Sequence, residues 1–364
     1  MTINKRIKVM HFVSGFKNGG VEQVLLNYTG LINKNYDIKE IIVYQHKADP
    51  EKLSLSKKIG NTMIEIPAKR SGIFRHIYAT YKLIKKERPD VVHAHMSLTN
   101  FVPLLIAKIL KVPVRISHSH IAQDEFSPLL TPVLKKLTIF SATDLMACGE
   151  KAGKYMYGNN NFTILYNAIN QEDYIFNSEW RREIRQKYNI PSDSFLLGSI
   201  GRCVYQKNQK FLVDIFNKFY QSNPNSYLVI IGDGELSKEL DNYIAQQESK
   251  SNIIRIKGTR STEKFYSAFD AFLMPSYYEG LPVVAIEAQT SKVTTLLSNT
   301  IDPSVKFSNV VKFISISDGP QKWLSKIVRE KNRDKLSVKN NYNIKIQYPV
   351  LYNYYINALN KKNK

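Results

Sequence analysis

Phe195-Leu196-Leu197-Gly198-Ser199-Ile200-Gly201-Arg202 is the stretch on which the fold turns. It is a short, nearly continuous apolar run that ends on a glycine and a cation. Runs of this kind suit strands of a parallel sheet with helices on both faces. Upstream, similar runs recur at 7–13, 41–44, 63–66, 91–94, 114–117, 145–147 and 163–165. Helical patterns lie between them at about 20–33, 73–88, 98–111, 129–141 and 150–157. After a polar, irregular stretch from Asn167 to about Ser194 the alternation restarts at Phe195, with further runs at 228–231, 253–256, 271–274, 294–297 and 310–314. Strand-helix alternation marks a doubly wound α/β fold, and here it occurs twice. The sequence therefore predicts two Rossmann-like domains facing across a cleft, 1–170 and 171–340, with a C-terminal helix in 341–364 packing back on the first.

A chain of 364 residues accommodates two such domains. With 43% hydrophobic and 23% charged residues the composition is globular and excludes a disordered protein. Cys148 and Cys203 are the only cysteines, too few for a disulfide scaffold, which points to a reducing, cytoplasmic setting. Lys5, Arg6 and Lys8 run into Val9–Val13 without the h-region of a signal peptide, so the start reads as a strand. The longest apolar stretch elsewhere, 101–110, is broken by Lys108 and is too short to span a bilayer. The net charge of +21 is spread over both halves. No zinc-finger spacing, basic zipper or RNA-recognition motif accompanies it, so nucleic acid is not expected as a partner. Phosphorylated substrates and anionic lipid headgroups suit the same charge.

Ligands of doubly wound sheets collect at the carboxyl ends of the strands. One such loop is Pro275-Ser276-Tyr277-Tyr278-Glu279-Gly280-Leu281-Pro282, which leads into a helix through Glu287 and Ala288. Pro282 suits the first helical position, and Gly280 and Leu281 lie where a helix start binds phosphate. Glu287, in the second turn, can accept two ribose hydroxyls, and Glu279 can meet hydroxyls of a transferred sugar. Each glutamate could equally compensate the helix dipole or face solvent. The loop Gly201-Arg202-Cys203-Val204-Tyr205-Gln206-Lys207 follows the first strand of the same domain, where Arg202 and Lys207 could meet a diphosphate. Lys210 reads as a solvated lysine.

In the first half, Ser14-Gly15-Phe16-Lys17-Asn18-Gly19-Gly20 joins a strand to a helix, a place where backbone can approach a substrate or simply turn. It lacks the G-x-G-x-x-G spacing of a dinucleotide fingerprint. His93, His95, His118 and His120 lie near two strand ends, and no cysteine or carboxylate joins them at a zinc-ligand spacing. Lys82, Lys85, Lys86 and Arg88, and Lys135 and Lys136, alternate with Tyr78, Tyr81, Leu134 and Leu137. These are either solvated helix faces or a surface for anionic lipid.

Taken together, these motifs resemble the GT-B glycosyltransferases of family 4, marked by Glu-x7-Glu, and within them the bacterial capsule and exopolysaccharide enzymes. Glu279 and Glu287 carry the resemblance with Gly19-Gly20-Val21-Glu22, Val91-Val92-His93-Ala94-His95, Ser117-His118-Ser119-His120, Asn167-Ala168-Ile169 and Leu228–Leu236. It implies a retaining transfer from a nucleotide diphosphate-sugar, a UDP-sugar first, to a glycan or polyprenyl-diphosphate-linked acceptor at the inner face of the plasma membrane. By position it assigns the diphosphate to Arg202, Lys207, Gly19, Gly20, Gly280 and Leu281, the ribose to Glu287, and the base to Gly258, Thr259 and Arg260. It assigns the sugar to Glu279 and His120, with His118 next. No Asp-x-Asp occurs, so no metal or other cofactor is expected. Two departures stand out: the glycine usual after Ala288 is absent from Gln289-Thr290-Ser291-Lys292-Val293, and Asn167-Ala168-Ile169-Asn170 replaces Asn-Gly-Ile-Asp. A sugar-nucleotide epimerase or a non-catalytic relative is the alternative reading.

Overall fold

The structure is a computed structural model and describes residues 6–17, 19–123, 127–259, 261–330, 333 and 340–362. The chain divides into two units, Met1–Ile169 with Asn341–Lys364, and Asn170–Asn340.

The first unit holds β1 (Ile7–Phe12), β2 (Ile38–Tyr44), β3 (Thr62–Glu65), β4 (Val91–Ala94), β5 (Val114–Ser119), β6 (Asp144–Ala147) and β7 (Thr163–Ile164). They pair in parallel in the order β3-β2-β1-β4-β5-β6-β7. The connecting helices are α1 (Gly20–Asn35), α2 (Pro50–Lys58), α3 (Ile73–Glu87), α4 (Phe101–Ile109), α5 (Thr131–Ser141) and α6 (Glu150–Tyr157). Strand side chains alternate between faces. Ile41 and Val43 join Met10, Phe12, Val92 and Ala94 in a core with α3 and α4, whereas Ile42 and Tyr44 pack with Leu25 and Leu26 of α1. Polar residues of the second parity, Glu40 of β2 and His11 of β1 among them, therefore face α1.

The second unit holds β8 (Phe195–Ile200), β9 (Ser226–Ile231), β10 (Ile253–Ile256), β11 (Ala271–Met274), β12 (Thr294–Ser298) and β13 (Val311–Ile314). Their order is β10-β9-β8-β11-β12-β13, again parallel throughout. Its helices are α7 (Ser178–Lys187), α8 (Gln209–Ser222), α9 (Ser237–Ala245), α10 (Glu263–Ala268), α11 (Val283–Thr290) and α12 (Gly319–Leu324). From β8 the chain winds outward to β10, returns to β11 on the other flank, and winds outward again. The gap between β8 and β11 is thus the point where strand order reverses. The chain then returns to the first unit, where α13 (Ile344–Lys362) packs on α1 and β5.

The 167–194 stretch is not wholly irregular, as the sequence had suggested, because it contains α7. The carboxamide of Asn177 caps that helix by accepting from the backbone N–H of Glu179 and Trp180. Charge anchors it, beside the buried Ile184. Arg181 and Arg185 reach the buried Asp270 just ahead of β11, at 2.8 and 2.9 Å, and Arg329 joins them at 3.0 Å. The backbone N–H of Leu196 in β8 donates to the same carboxylate at 2.8 Å. Burial alone would raise the Asp270 carboxyl, but these guanidiniums and the amide hold it below the usual range.

Asp270→Ala strands buried guanidiniums and is expected to cost the second unit about 3–5 kcal/mol, read as a lower denaturant midpoint. The wild-type contribution should be full above pH of about 4, the unfolded value, and fade as pH falls through the depressed folded value.

Candidate active site

The carboxyl ends of β8 and β11 carry the loops singled out in the sequence, and the two loops are stitched together. Tyr277 N–H donates to the Gln206 carbonyl at 2.9 Å. The Gln206 amide donates to the Tyr278 carbonyl at 2.8 Å, and Asn208 donates to the Pro275 carbonyl at 3.2 Å. The Tyr205 and Tyr277 rings stack with centroids 4.8 Å apart. On this platform Lys207 Nζ meets Glu279 Oε1 at 2.6 Å, with only 16% and 9% of the two side chains exposed. A close, mostly desolvated pair of this kind is not a solvated surface contact. Arg202, five residues before Lys207 in the same loop, is exposed. Lys210 stands apart in an exposed ion pair with Glu239.

Close backbone approach makes the platform possible. Gly232, at the end of β9, has φ +137, and a Cβ there would lie 1.9 Å from the Gly201 carbonyl oxygen. No other residue type fits that position.

Glu279 and Glu287 are 7% and 6% exposed, so neither is the solvent-facing residue that a glutamate near a helix start often is. The Tyr266 hydroxyl donates to Glu287 Oε2 at 2.6 Å, and the Tyr174 hydroxyl also lies within hydrogen-bonding reach of Glu287. Burial first, and then this carboxylate, push both phenols well above their usual value, so they act as donors. Pro282 proves to be the residue just before α11 rather than its first, since Val283 is the first with helical hydrogen bonding. Gly280 and Leu281 are buried immediately upstream. The helix ends where the sequence lacks the expected glycine. Lys292 takes the left-handed conformation, φ +51, and its N–H bonds to the Gln289 carbonyl at 3.0 Å. The turn is built without its usual residue.

Gly258 and Thr259 follow β10 on the carboxyl side of the same sheet, with nothing within 4 Å of where a Gly258 Cβ would stand. Arg260 lies outside the described residues.

In the first unit, Gly19 precedes α1 and Gly20 is its first residue, partly exposed and exposed respectively. Beneath α1 the sheet carries five histidines on one face. His11 of β1 is in register with His93 of β4. His95, His118 and His120 extend the same parity along β4 and β5. His11, His93, His118 and His120 are each at most 8% exposed, and Glu40 is wholly buried. His120 and His118 thus sit in a continuous imidazole cluster, together with His11 and Glu40, which sequence reasoning had not picked out. Val21 and Val24 of α1 line the same small pocket.

Burial first, and then the neighbouring imidazoles, hold His93, His95 and His118 well below the usual histidine value, and burial brings His120 to about 4. All four are therefore neutral near pH 7. Two triads, His11, His93, His95 and His95, His118, His120, bring ring nitrogens within 4.8 Å of one another, close enough to consider a metal. Most of those nitrogens are already occupied by hydrogen bonds within the cluster. A larger hollow lined by Asp144, Asn160, Thr163 and Tyr354 opens at the amino ends of β6 and β7, away from these loops.

The basic helices need a correction. Of the apolar residues read as alternating with their lysines, only Tyr78 is exposed, while Tyr81, Leu134 and Leu137 are half-buried because they turn toward the core. The apolar surface lies elsewhere on the same elements: Ile73, Phe74 and Ile77 on α3, Ile109 at the end of α4, and Leu129, Leu130, Val133 and Phe140 on or just before α5. Packing of α3 and α5 against α4 puts these residues on neighbouring helices. No helix among the described residues is long and apolar enough to cross a membrane.

Comparison with known proteins adds an independent line. Residues 181–309 match the family described as glycosyl transferases group 1. The chain is 29% identical over 341 residues to the putative glycosyltransferase EpsF of Bacillus subtilis, covering 88% of this chain and 87% of that protein. It is 25% identical over 314 residues to the Escherichia coli UDP-Gal:alpha-D-GlcNAc-diphosphoundecaprenol alpha-1,3-galactosyltransferase, covering 81% and 80% of the two. Among solved structures, HepE of Anabaena in complex with UDP and glucose superposes with a TM-score of 0.80 at 14% identity, over 96% of this chain and 99% of that one.

Replacing Lys292 by glycine should relieve the left-handed backbone, which costs an ordinary residue roughly 1 kcal/mol. The expected outcome is a rise in Tm with no loss of ligand binding.

Proposed function

Since this chain is a group 1 glycosyltransferase built on two Rossmann-like domains, we propose that it moves a sugar from a nucleotide diphosphate-sugar, a UDP-sugar first, onto a lipid-linked glycan in polysaccharide assembly. In this proposal the transfer retains anomeric configuration and needs no metal. The observation that carries the donor assignment is the Lys207–Glu279 pair on its stitched platform at the strand-order reversal, with Glu287 buried beside it on α11. A diphosphate brings negative charge to Lys207 and Arg202, and the backbone amides of Gly280 and Leu281, just ahead of α11, add the positive end of a helix dipole. As the glycosidic bond breaks, the leaving diphosphate gains charge, and fixed cations stabilise that change without reorganising. Glu279 takes sugar hydroxyls, Glu287 the ribose, and the segment at Gly258 and Thr259 borders the base. In the first unit, which receives the acceptor, Gly19 and Gly20 flank the phosphates and His120, with His118 beside it, meets the transferred sugar and its oxocarbenium-like transition state. Retention rests on the likeness to Glu-x7-Glu enzymes. The UDP preference draws on the UDP complex of HepE, and the lipid diphosphate on the acceptor named for the E. coli relative.

A peripheral position at the inner face of the plasma membrane belongs to the same proposal. The exposed Phe74, Ile77 and Tyr78 of α3 and Val133 of α5 lie among Arg75, Lys82, Lys85, Lys86 and Lys136. Apolar side chains inserting between headgroups while lysines meet anionic lipid would bring a soluble fold to a lipid-borne acceptor.

Incubated with UDP-sugars and a membrane extract carrying lipid-linked glycans, the protein should release UDP only when acceptor is present, and should do so equally in EDTA. Lys207→Ala and Glu279→Gln should each lower that rate by about a hundredfold or more. Release that stops in EDTA, or free donor converted to an isomer, would contradict the reading. For the membrane, vesicles containing anionic phospholipid should retain the protein at low salt and lose it in Phe74→Ser/Leu129→Ser; equal retention by that variant would remove the surface from the proposal.

A further inference from the structure

The imidazoles under α1 form a row with a direction. Glu40 Oε2 lies 2.8 Å from His11 Nε2. His11 Nδ1 lies 3.1 Å from His95 Nε2, and His95 Nδ1 lies 3.0 Å from His120 Nε2. At each link Nδ1 of one ring meets Nε2 of the next, and the row ends at His120, whose Nδ1 is buried and whose ring has the Asn167 side chain as its remaining hydrogen-bonding neighbour. A neutral imidazole carries one N–H and one lone pair, so fixing either end fixes every ring between. With Glu40 ionised, His11 must donate through Nε2, and its Nδ1 must accept from His95 Nε2–H. His95 Nδ1 in turn accepts from His120 Nε2–H, and His120 Nδ1 is left with a lone pair.

We propose that Glu40, His11, His95 and His120 form a single proton row in which the buried carboxylate sets what His120 Nδ1 offers the substrate. The row offers a lone pair when Glu40 is ionised and an N–H when it holds one more proton. The inference rests on the reading of His120 as the group at the transferred sugar. The step balances as a proton relay. As the acceptor oxygen bonds the anomeric carbon and the bond to the leaving diphosphate breaks, the acceptor hydroxyl proton is taken at His120 Nδ1, the His120 Nε2 proton passes to His95 Nδ1, the His95 Nε2 proton to His11 Nδ1, and the His11 Nε2 proton to Glu40 Oε2. One carboxylate becomes a carboxylic acid, three imidazoles exchange tautomers, and none is left charged. That last point matters because burial disfavours an imidazolium here. The Asn167 amide beside His120 has a donor and an acceptor and can serve either state.

The titratable groups facing the row are His93 and His118 from β4 and β5, Tyr28 from α1 and Tyr355 from α13. Burial holds both phenols well above their usual value, so they stay protonated. His93 and His118 make a second, shorter row. Tyr355 OH lies 2.8 Å from His93 Nδ1, and His93 Nε2 lies 3.2 Å from His118 Nδ1. Among the described residues no carboxylate hydrogen-bonds to it, and Glu40 reaches its Tyr355 only through its charge.

Glu40, His11 and His95 are thus positioning residues, tested by reading the tautomers as well as the rate. In the protein labelled with 15N-histidine, the His120 resonances near pH 8 should report a bare Nδ1 and a protonated Nε2. In Glu40→Gln, whose amide can donate to His11, the His120 tautomer should mix or invert while His118 is unchanged. The kcat of Glu40→Gln should fall by roughly a hundredfold at unchanged KM, with a displaced ionisation in its pH profile and partial recovery in Glu40→Asp. If Glu40→Gln folds poorly, His95→Gln breaks the row at its middle and should likewise free the His120 tautomer. A His120 that carries its proton on Nδ1 in the wild type, or a tautomer indifferent to both variants, overturns the row. A tautomer that inverts with no change in kcat overturns the role of His120 at the sugar and, with it, the catalytic part of the inference. One equivalent of Co2+ bound with histidine-ligand absorption, and lost in His95→Gln, would make these rings metal ligands instead and also overturn the row.

Discussion

A parallel sheet buried on both faces sends most of its polar chemistry to the ends of its strands. In the second unit the two central strands, β8 and β11, are held at both ends, and the site depends on that. At their amino ends Asp270 accepts from Leu196 N–H and gathers three arginines. At their carboxyl ends the 201–210 and 275–280 loops are joined through Gln206, Asn208 and the stacked tyrosines. With both ends fixed, Lys207 and Glu279 meet at 2.6 Å although 72 residues separate them. Two long side chains on loose loops would lose much of such a contact to conformational entropy.

The two-domain α/β architecture was legible because buried parallel strands are apolar at almost every position. Every run picked out in the sequence became a strand. The ends of some strands were not legible, and the reason is physical. β2 begins at Ile38 rather than Ile41 because Lys39 and Glu40 interrupt its apolar pattern. The interruption at Glu40 is itself the polar residue that His11 requires. Helices α2 and α7 escaped notice because neither carries a broad apolar stripe. Their caps were the available signal: Asp49 ahead of Pro50, accepting from Glu51 and Lys52 N–H, and Asn177 ahead of Ser178.

The candidate site was legible as residue types at strand ends and illegible as partnerships. Glu279, Glu287, Arg202 and Lys207 stand out by position, but nothing local announces that Lys207 neutralises Glu279 or that Tyr266 holds Glu287. Nor could His11 be found by looking past strand ends, since it lies inside β1. Its signal was parity: His11 opposes Met10 and Phe12, so it shares a face with Glu40 and His93, and a histidine in that register lies against other histidines. One absence in the sequence also reads differently in three dimensions. The glycine missing after Ala288 does not abolish the turn, because Lys292 adopts the conformation a glycine would have taken.

On the donor reading, the Lys207–Glu279 pair couples recognition of the two halves of the substrate. A diphosphate that draws Lys207 toward itself leaves Glu279 as a carboxylate that is 7% exposed and has lost its cation. An unpaired buried charge is costly, and the sugar hydroxyls of the same donor can make good that loss by donating to Glu279. A nucleoside diphosphate without its sugar cannot. The pair therefore favours the intact donor over the spent one, and the release of sugar to the acceptor returns Glu279 to Lys207, which loosens the hold on the product diphosphate. The first unit works by a different means: burial keeps His93, His95, His118 and His120 neutral, so that on the proposed row a proton moves without leaving an imidazolium behind.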